Sequence, residues 1–226
     1  MNGARTLQVD GWILPFDLLA RTVRLDLCPD CEDDLRALAA AAQKLARPRS
    51  VWRIVTGVEY IDAERIRCGG IEFRSAMLVK NLGSATELRP YVATCGPELD
   101  TLADTVHDPL AEYWLDVIKA LALDAAFEQL RVEVLATGGE GRLSSMNPGS
   151  GDLTLWPIQE QVPLFELLGP EATAWTGVEL TGSCLMRPNK SMSGIFFYGA
   201  DDFESCAYCE RLDCPGRRAP YVPYMH

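Results

Sequence analysis

Residues 51–95, VWRIVTGVEYIDAERIRCGGIEFRSAMLVKNLGSATELRPYVATC, decide the fold class. Four segments within them stand out: VWRIVTGVEY (51–60), IRCGGIEF (66–73), SAMLVKNL (75–82) and YVATC (91–95). Each is short, rich in Val, Ile or aromatic residues, and set off by polar or Gly-containing turns, which predicts strands. Their close succession predicts an antiparallel meander with helices packed on one face.

The flanking segments predict helices. EDDLRALAAAAQKLARP starts at Glu32 with acidic residues in its first turn and basic ones before Pro48, the order the helix dipole favours. Asp108-Pro109 opens the strongest helix, because Asp caps well and Pro suits the first helical position. Leu110, Trp114, Ile118, Leu121 and Ala125 recur at helical spacing and predict its buried stripe. Gly138-Gly139 ends it. Further on, WPIQEQVPLFELLG predicts a short helix ending at Gly169, and WTGVELTGSCLMRP and SMSGIFFYG predict two strands. The fold class is therefore α+β, an antiparallel twisted sheet flanked by helices. Residues 1–200 form one domain in this reading, and 201–226 a Cys-rich irregular tail.

A hydrophobic content of 48% over 226 residues suffices for one substantial core. The formal net charge of −11 repels phosphate backbones, so nucleic acid is not the expected partner. No segment is long and apolar enough to span a membrane, and the N-terminus lacks signal-peptide character, so the expected location is the cytoplasm. The only histidines, His107 and His226, have no Ser or Cys partner suggested by sequence, which argues against a hydrolytic triad. No strand leads into a Gly-rich loop of the kind that marks a Rossmann-type methyltransferase.

Two segments carry candidate binding chemistry. Ser145-Met146-Asn147-Pro148-Gly149-Ser150 is a turn of small residues that exposes backbone N–H groups and admits a close ligand. Leu180 to Gly194, LTGSCLMRPNKSMSG, is a Pro-containing turn between strands that carries Arg187, Lys190, Ser191 and Ser193, an arrangement suited to an anion. Taken singly, each also reads as an ordinary surface turn. In this order and spacing, together with Leu164-Phe165-Glu166-Leu167-Leu168, they resemble the reactivation domain of cobalamin-dependent methionine synthase. Thr94 to Asp100 and the long Ala-rich helix look like the stand-alone members of that family. The resemblance spans roughly residues 85 to 200.

That resemblance implies the family's fold and a task in returning an oxidised Co(II) corrinoid to its active state. The partner it implies is a corrinoid protein or a cobalamin-dependent methyltransferase, with cobalamin carried by that partner and S-adenosylmethionine as a second ligand. Asn147, Pro148, Gly149, Ser150, Lys190 and Ser191 become the candidate ligand residues, with Glu128 of the long helix toward the ligand's positive end. One departure is visible. Ser145 and Ser150 stand where the family's motif has Arg and Tyr, and such groups contribute on the order of 1–3 kcal/mol each to ligand binding.

The chain holds eight cysteines. Cys206, Cys209 and Cys214 lie within nine residues, a spacing that lets three thiolates converge on one metal. Cys184 is the first candidate for the fourth ligand. The competing source is Cys28-Pro29-Asp30-Cys31, which equally reads as a redox pair. An all-sulfur set accepts zinc or a [4Fe–4S] cluster, and the implied need for an electron favours iron–sulfur. The competing functional class is a non-catalytic corrinoid-protein-binding module with a structural zinc.

Overall fold

The computed structural model describes residues 3–150 and 155–199, together with 207, 212–213, 217 and 219–222. In chain order, β1 (Arg5–Gln8), α1 (Phe16–Thr22) and α2 (Glu32–Leu45) come first. Next are β2 (Arg49–Trp52) and β3 (Val55–Thr56), then β4 (Glu59–Tyr60), β5 (Arg65–Cys68) and β6 (Ile71–Arg74). α3 (Ala76–Leu82), β7 (Glu87–Thr94), α4 (Glu98–Ala103), α5 (Pro109–Ala136) and β8 (Arg142–Met146) follow. The remaining elements are α6 (Gln161–Leu168), α7 (Glu171–Thr176), β9 (Glu179–Leu180), β10 (Met186–Arg187) and β11 (Ser191–Gly199).

The main sheet runs β1-β2-β7-β11-β8, antiparallel throughout, and β3 pairs with β7 beyond the end of β2. The break between β2 and β3 has a local cause. Pro90, in the middle of β7, has no N–H to give its neighbour. Pairing runs to Trp52↔Tyr91, resumes at Val55↔Leu88, and skips the positions facing Pro90, where only Arg53 N–H donates to the Pro90 carbonyl at 3.3 Å. β4, β5 and β6 form a separate small meander, and β9 with β10 a short hairpin.

Strand alternation sends side chains to two apolar layers. On one face Trp52, Tyr91, Ala93 and Phe196 pack against Ala126, Leu130 and Val134 of α5. On the other, Val55, Leu88, Ile195 and Phe197 meet α3, α6, Trp156 and the small meander, while Val51 and Val92 meet Leu168 and Ala172. Helices therefore cover both faces rather than the single face expected. That explains why seven of the eight residues of β7 are buried, and why YVATC reads as a continuous apolar run.

Three local readings are corrected. Residues 76–82 are helical, not a strand. Ser75 caps them by accepting from the Leu78 N–H at 2.9 Å, and Met77, Leu78 and Leu82 share the buried face. The stretch from Trp175 to Pro188 is not one strand. α7 runs to Thr176, Gly177 turns the chain in the left-handed region at φ +70°, and only two residue pairs of the β9–β10 hairpin form. The helix from Pro109 begins as expected, with the Asp108 carboxylate accepting from the Ala111 N–H at 2.8 Å. Its buried stripe, however, is Trp114, Ile118, Ala122, Ala126, Leu130 and Val134, and Leu110 is exposed. Small alanines in that stripe let the helix lie close against the sheet, a role that apolar spacing alone does not single out. Among the described residues, no helix is long and apolar enough to cross a membrane.

Candidate functional site

The candidate site is built where β8 ends against the middle of β11. Met146 pairs with Ile195, which places Asn147 beside Gly194, and Gly194 lies opposite Tyr91 on β7. With no Cβ at Gly194, the Tyr91 ring reaches across β11 to Asn147. The Asn147 Nδ2 group donates to the Tyr91 hydroxyl and to the Ser193 carbonyl, each at 2.7 Å. The Tyr91 ring stacks on Phe196 at 4.4 Å between centroids and meets Phe127 of α5 at 5.8 Å. The turn itself closes through the Ser150 N–H to the Asn147 carbonyl at 3.1 Å and the Gly149 N–H to the Trp156 carbonyl at 2.8 Å. Gly149 adopts φ +78°, which favours glycine, and Pro148 is buried.

A second polar cluster adjoins it on β11. The Ser193 hydroxyl donates to Gln161 Oε1 at 2.6 Å, and the Ser191 hydroxyl pairs with Thr94 at 2.9 Å and donates to the Pro188 carbonyl at 2.8 Å. Lys190 reaches the other way, to Asp116 of α5 at 2.9 Å.

These positions sit on a known architecture. Neither a protein-family model nor any curated protein matches the sequence. Among solved structures, the chain is similar to the MetH reactivation domain bound to AdoHcy, with a TM-score of 0.57 and 19% identity. The similarity covers 89% of this chain and 80% of that one. The two share a fold. At this identity the likeness shows the architecture, and the roles of individual residues rest on their own geometry.

On that geometry the sequence-derived candidates separate. Asn147, Pro148, Gly149, Ser150 and Ser191 fall around one stretch of β11. Glu128 does not join them. It lies on an exposed face of α5, where Arg131 holds its carboxylate at 2.8–2.9 Å and keeps its pKa below the usual carboxylate range. Asn147 and Lys190 already have partners inside the chain, and no Arg or aromatic side chain occupies positions 145 or 150. Ser145 and Ser150 thus supply neither the guanidinium nor the aromatic face that the family's motif carries at those two positions.

The metal candidates divide differently. Cys184, at φ +62°, is a partly exposed free thiol in the β9–β10 turn. Cys206, Cys209 and Cys214 lie outside the described residues. Among the described residues, no group of three or more Cys, His, Asp or Glu is placed to hold a metal. Cys28 and Cys31 are joined as a disulfide. Burial pushes the Cys68 thiol up to about 11 and the Cys95 thiol up to about 12, so both stay protonated and unreactive near neutral pH.

Sequence reasoning missed Tyr91, whereas Glu160 and Gln161 lie in the WPIQEQVPLFELLG segment that follows the candidate turn. For Tyr91 a signal exists: a mid-strand glycine, here Gly194, marks a place where another group comes close. Glu160 supports the turn from behind, accepting from the Arg74 N–H at 3.0 Å and facing the Trp156 indole N–H at 3.5 Å. Burial raises its pKa above the usual carboxylate value, so the folded state binds its proton more tightly than the unfolded chain does. Its stabilising contribution is present below the unfolded pKa and lost as pH rises through the folded one. Glu160→Gln keeps an acceptor oxygen without the charge. The variant is expected to be more stable than the parent at pH 7, with the difference closing as pH falls below the range in which a free carboxylate titrates. Urea unfolding at pH 7 and below that range reads it, and a variant less stable at pH 7 contradicts the assignment.

Proposed function

We propose that this chain is a reactivation factor for a corrinoid protein, supporting the reductive return of Co(II) cobalamin to its active state. The supporting observation is the shared fold with a reactivation domain over 89% of the chain. The turn at Asn147 and the Ser191–Gly194 strand, the two segments that carry the sequence resemblance, also meet side by side. Cobalamin belongs to the partner in this reading and is what the chain acts on. Return from Co(II) takes one electron, and the tail cysteines Cys206, Cys209 and Cys214, with Cys184, are proposed to hold a [4Fe–4S] cluster that supplies it.

The test uses protein purified without oxygen and a corrinoid protein poised in the Co(II) state with a chemical reductant. Loss of the Co(II) absorption is expected to run at least about ten-fold faster with the chain present, as the loss of roughly 1.4 kcal/mol from a barrier requires. Absence of both binding and acceleration overturns the reading. Metal analysis tests the cluster separately, with about four irons and four sulfides per chain expected.

A second reading has its own observation. Asn147, Lys190 and Glu128 each have a partner within the chain, and the Arg and Tyr of the family's motif are replaced by Ser145 and Ser150. That favours a non-catalytic corrinoid-protein-binding module with a structural zinc. Stoichiometric zinc together with corrinoid-protein binding but no acceleration selects it.

A further inference from the structure

We infer that Cys28 and Cys31 form a thiol–disulfide exchange site that reduces disulfides in polypeptides, with Cys28 the attacking and Cys31 the resolving residue. This inference does not rest on the corrinoid reading.

Cys28 sits between two consecutive single-turn 3₁₀ helices, Leu25–Leu27 and Pro29–Cys31, and Cys31, which ends the second, is the N-cap of the 14-residue α2. The two sulfurs are joined, so the backbone already holds them at bonding range. They differ in surroundings. Cys28 is exposed, while Cys31 packs against the apolar layer of α1, α2 and α5. That asymmetry suits one cysteine to meet an outside disulfide and the other to wait behind it. Leu27, next to Cys28, is 73% exposed, an apolar neighbour that suits a polypeptide better than a small polar disulfide.

A staple role explains the bond less well. The pair closes a loop of only two intervening residues, the length at which a cross-link restricts the unfolded chain least. The segment is already pinned by backbone bonds from Cys28 N–H to the Leu25 carbonyl and from Cys31 N–H to the Cys28 carbonyl, each 3.0 Å.

Charge sets the direction. Between residues 24 and 36 the chain carries two cations, Arg24 and Arg36, against five carboxylates. Both cations are engaged, with Asp26 at 3.0 Å and Glu32 at 2.6 Å, and Asp30, Asp33 and Asp34 lie within three residues of Cys31 along the chain. The net charge of this segment, −3, outweighs the roughly half positive charge that the α2 N-terminus presents at Cys31, so a thiolate is disfavoured on balance, the dithiol state is held less well than the disulfide, and the pair tends to give electrons away.

The chemistry balances as follows. The Cys28 thiolate attacks one sulfur of the target disulfide. The target's S–S bond breaks, its departing thiolate takes a proton from solvent, and a mixed disulfide forms at Cys28. Cys31 then loses its proton and attacks Cys28 Sγ, expelling the second target thiolate and closing Cys28–Cys31. Two electrons and two protons pass to the target, and an external dithiol of the same chemical class restores the pair.

The experiment uses the full chain, insulin as the polypeptide disulfide and oxidised glutathione as the small one, with adducts located by peptide mapping. In Cys31→Ser, insulin is expected to be trapped at Cys28 at least about ten-fold faster than it is trapped at Cys31 in Cys28→Ser, and faster than glutathione at equal thiol-reactive concentration. Equal trapping in the two variants, or glutathione preferred over insulin, overturns the assignment. The unmutated chain gives an independent reading. Dithiothreitol should open the pair while far-ultraviolet circular dichroism stays native, and insulin should then close it again. A pair that opens only on unfolding, or whose reduced thiols take up zinc in place of reacting with insulin, also overturns it.

Discussion

Gly194→Ala is expected to destabilise the protein by about 2–3 kcal/mol, and Gly194→Val by more than about 3 kcal/mol. A Cβ at this position would lie 2.5 Å from the Met146 carbonyl oxygen, 2.6 Å from Asn147 Nδ2 and 2.9 Å from the Tyr91 hydroxyl. Two of these belong to side chains that can move, but the Met146 carbonyl is backbone in a strand paired with β11. Relief therefore requires shifting β8 itself. Urea unfolding should show a lower midpoint at unchanged slope. The added methyl also displaces Asn147 from its bonds to Tyr91 and Ser193, so the turn at Pro148 should lose amide protection beyond the global change. Tyr91→Phe in the Gly194→Ala background removes one of the three contacts and should recover only part of the loss. Full recovery would mean that the tyrosine hydroxyl, not the strand backbone, sets the limit. A cost below about 1 kcal/mol for Gly194→Ala would mean that β8 and β11 are not packed as described.

The same corner of the molecule shows what the sequence discloses and what it conceals. α2 and α5 were legible because their signals are local. Asp108 and Pro109 sit next to the helix they start, and the acidic first turn of α2 lies within its own sequence. α3 carried an equally local signal in Ser75, but the apolar run behind it resembles a strand, and a seven-residue helix shows too few turns for its period to decide. The hairpin after Gly177 was misread because Val178, Leu180 and Leu185 suit a strand individually, while the left-handed turns at Gly177 and Cys184 depend on backbone angles. The Asn147–Tyr91 bond joins residues 56 positions apart. It exists because the sheet order puts β11 between β7 and β8 in one particular register, and nothing near either residue encodes that order. The charge pairs that occupy Glu128 and Lys190 were hidden for a different reason. Arg131 is one helical turn from Glu128 and could have been paired with it by spacing alone, whereas Asp116 meets Lys190 only once α5 is laid across the sheet.

Trp156→Ala is expected to cost about 3–5 kcal/mol, the range for deleting a fully buried large aromatic. Trp156 has no exposed surface and meets Phe73 edge-on at 6.2 Å between centroids, within the layer that holds Leu164, Leu167, Ile195 and Phe197. These neighbours come from β6, α6 and β11, and a cavity walled by three elements collapses poorly. Trp156→Phe keeps most of the apolar volume and should cost less than the alanine variant, though it also removes the indole N–H that faces Glu160. The consequence for the site separates this residue from others of equal burial. The Trp156 carbonyl accepts the Gly149 N–H, so backbone at the core's edge holds the Pro148-Gly149 turn in place. In the alanine variant that carbonyl remains, but the segment carrying it loses its anchor. Hydrogen exchange at the Gly149 amide should then accelerate more than the drop in global stability accounts for. If it accelerates only in proportion, the turn is held by Asn147 and Tyr91 alone, and the core beneath it contributes stability without positioning the site.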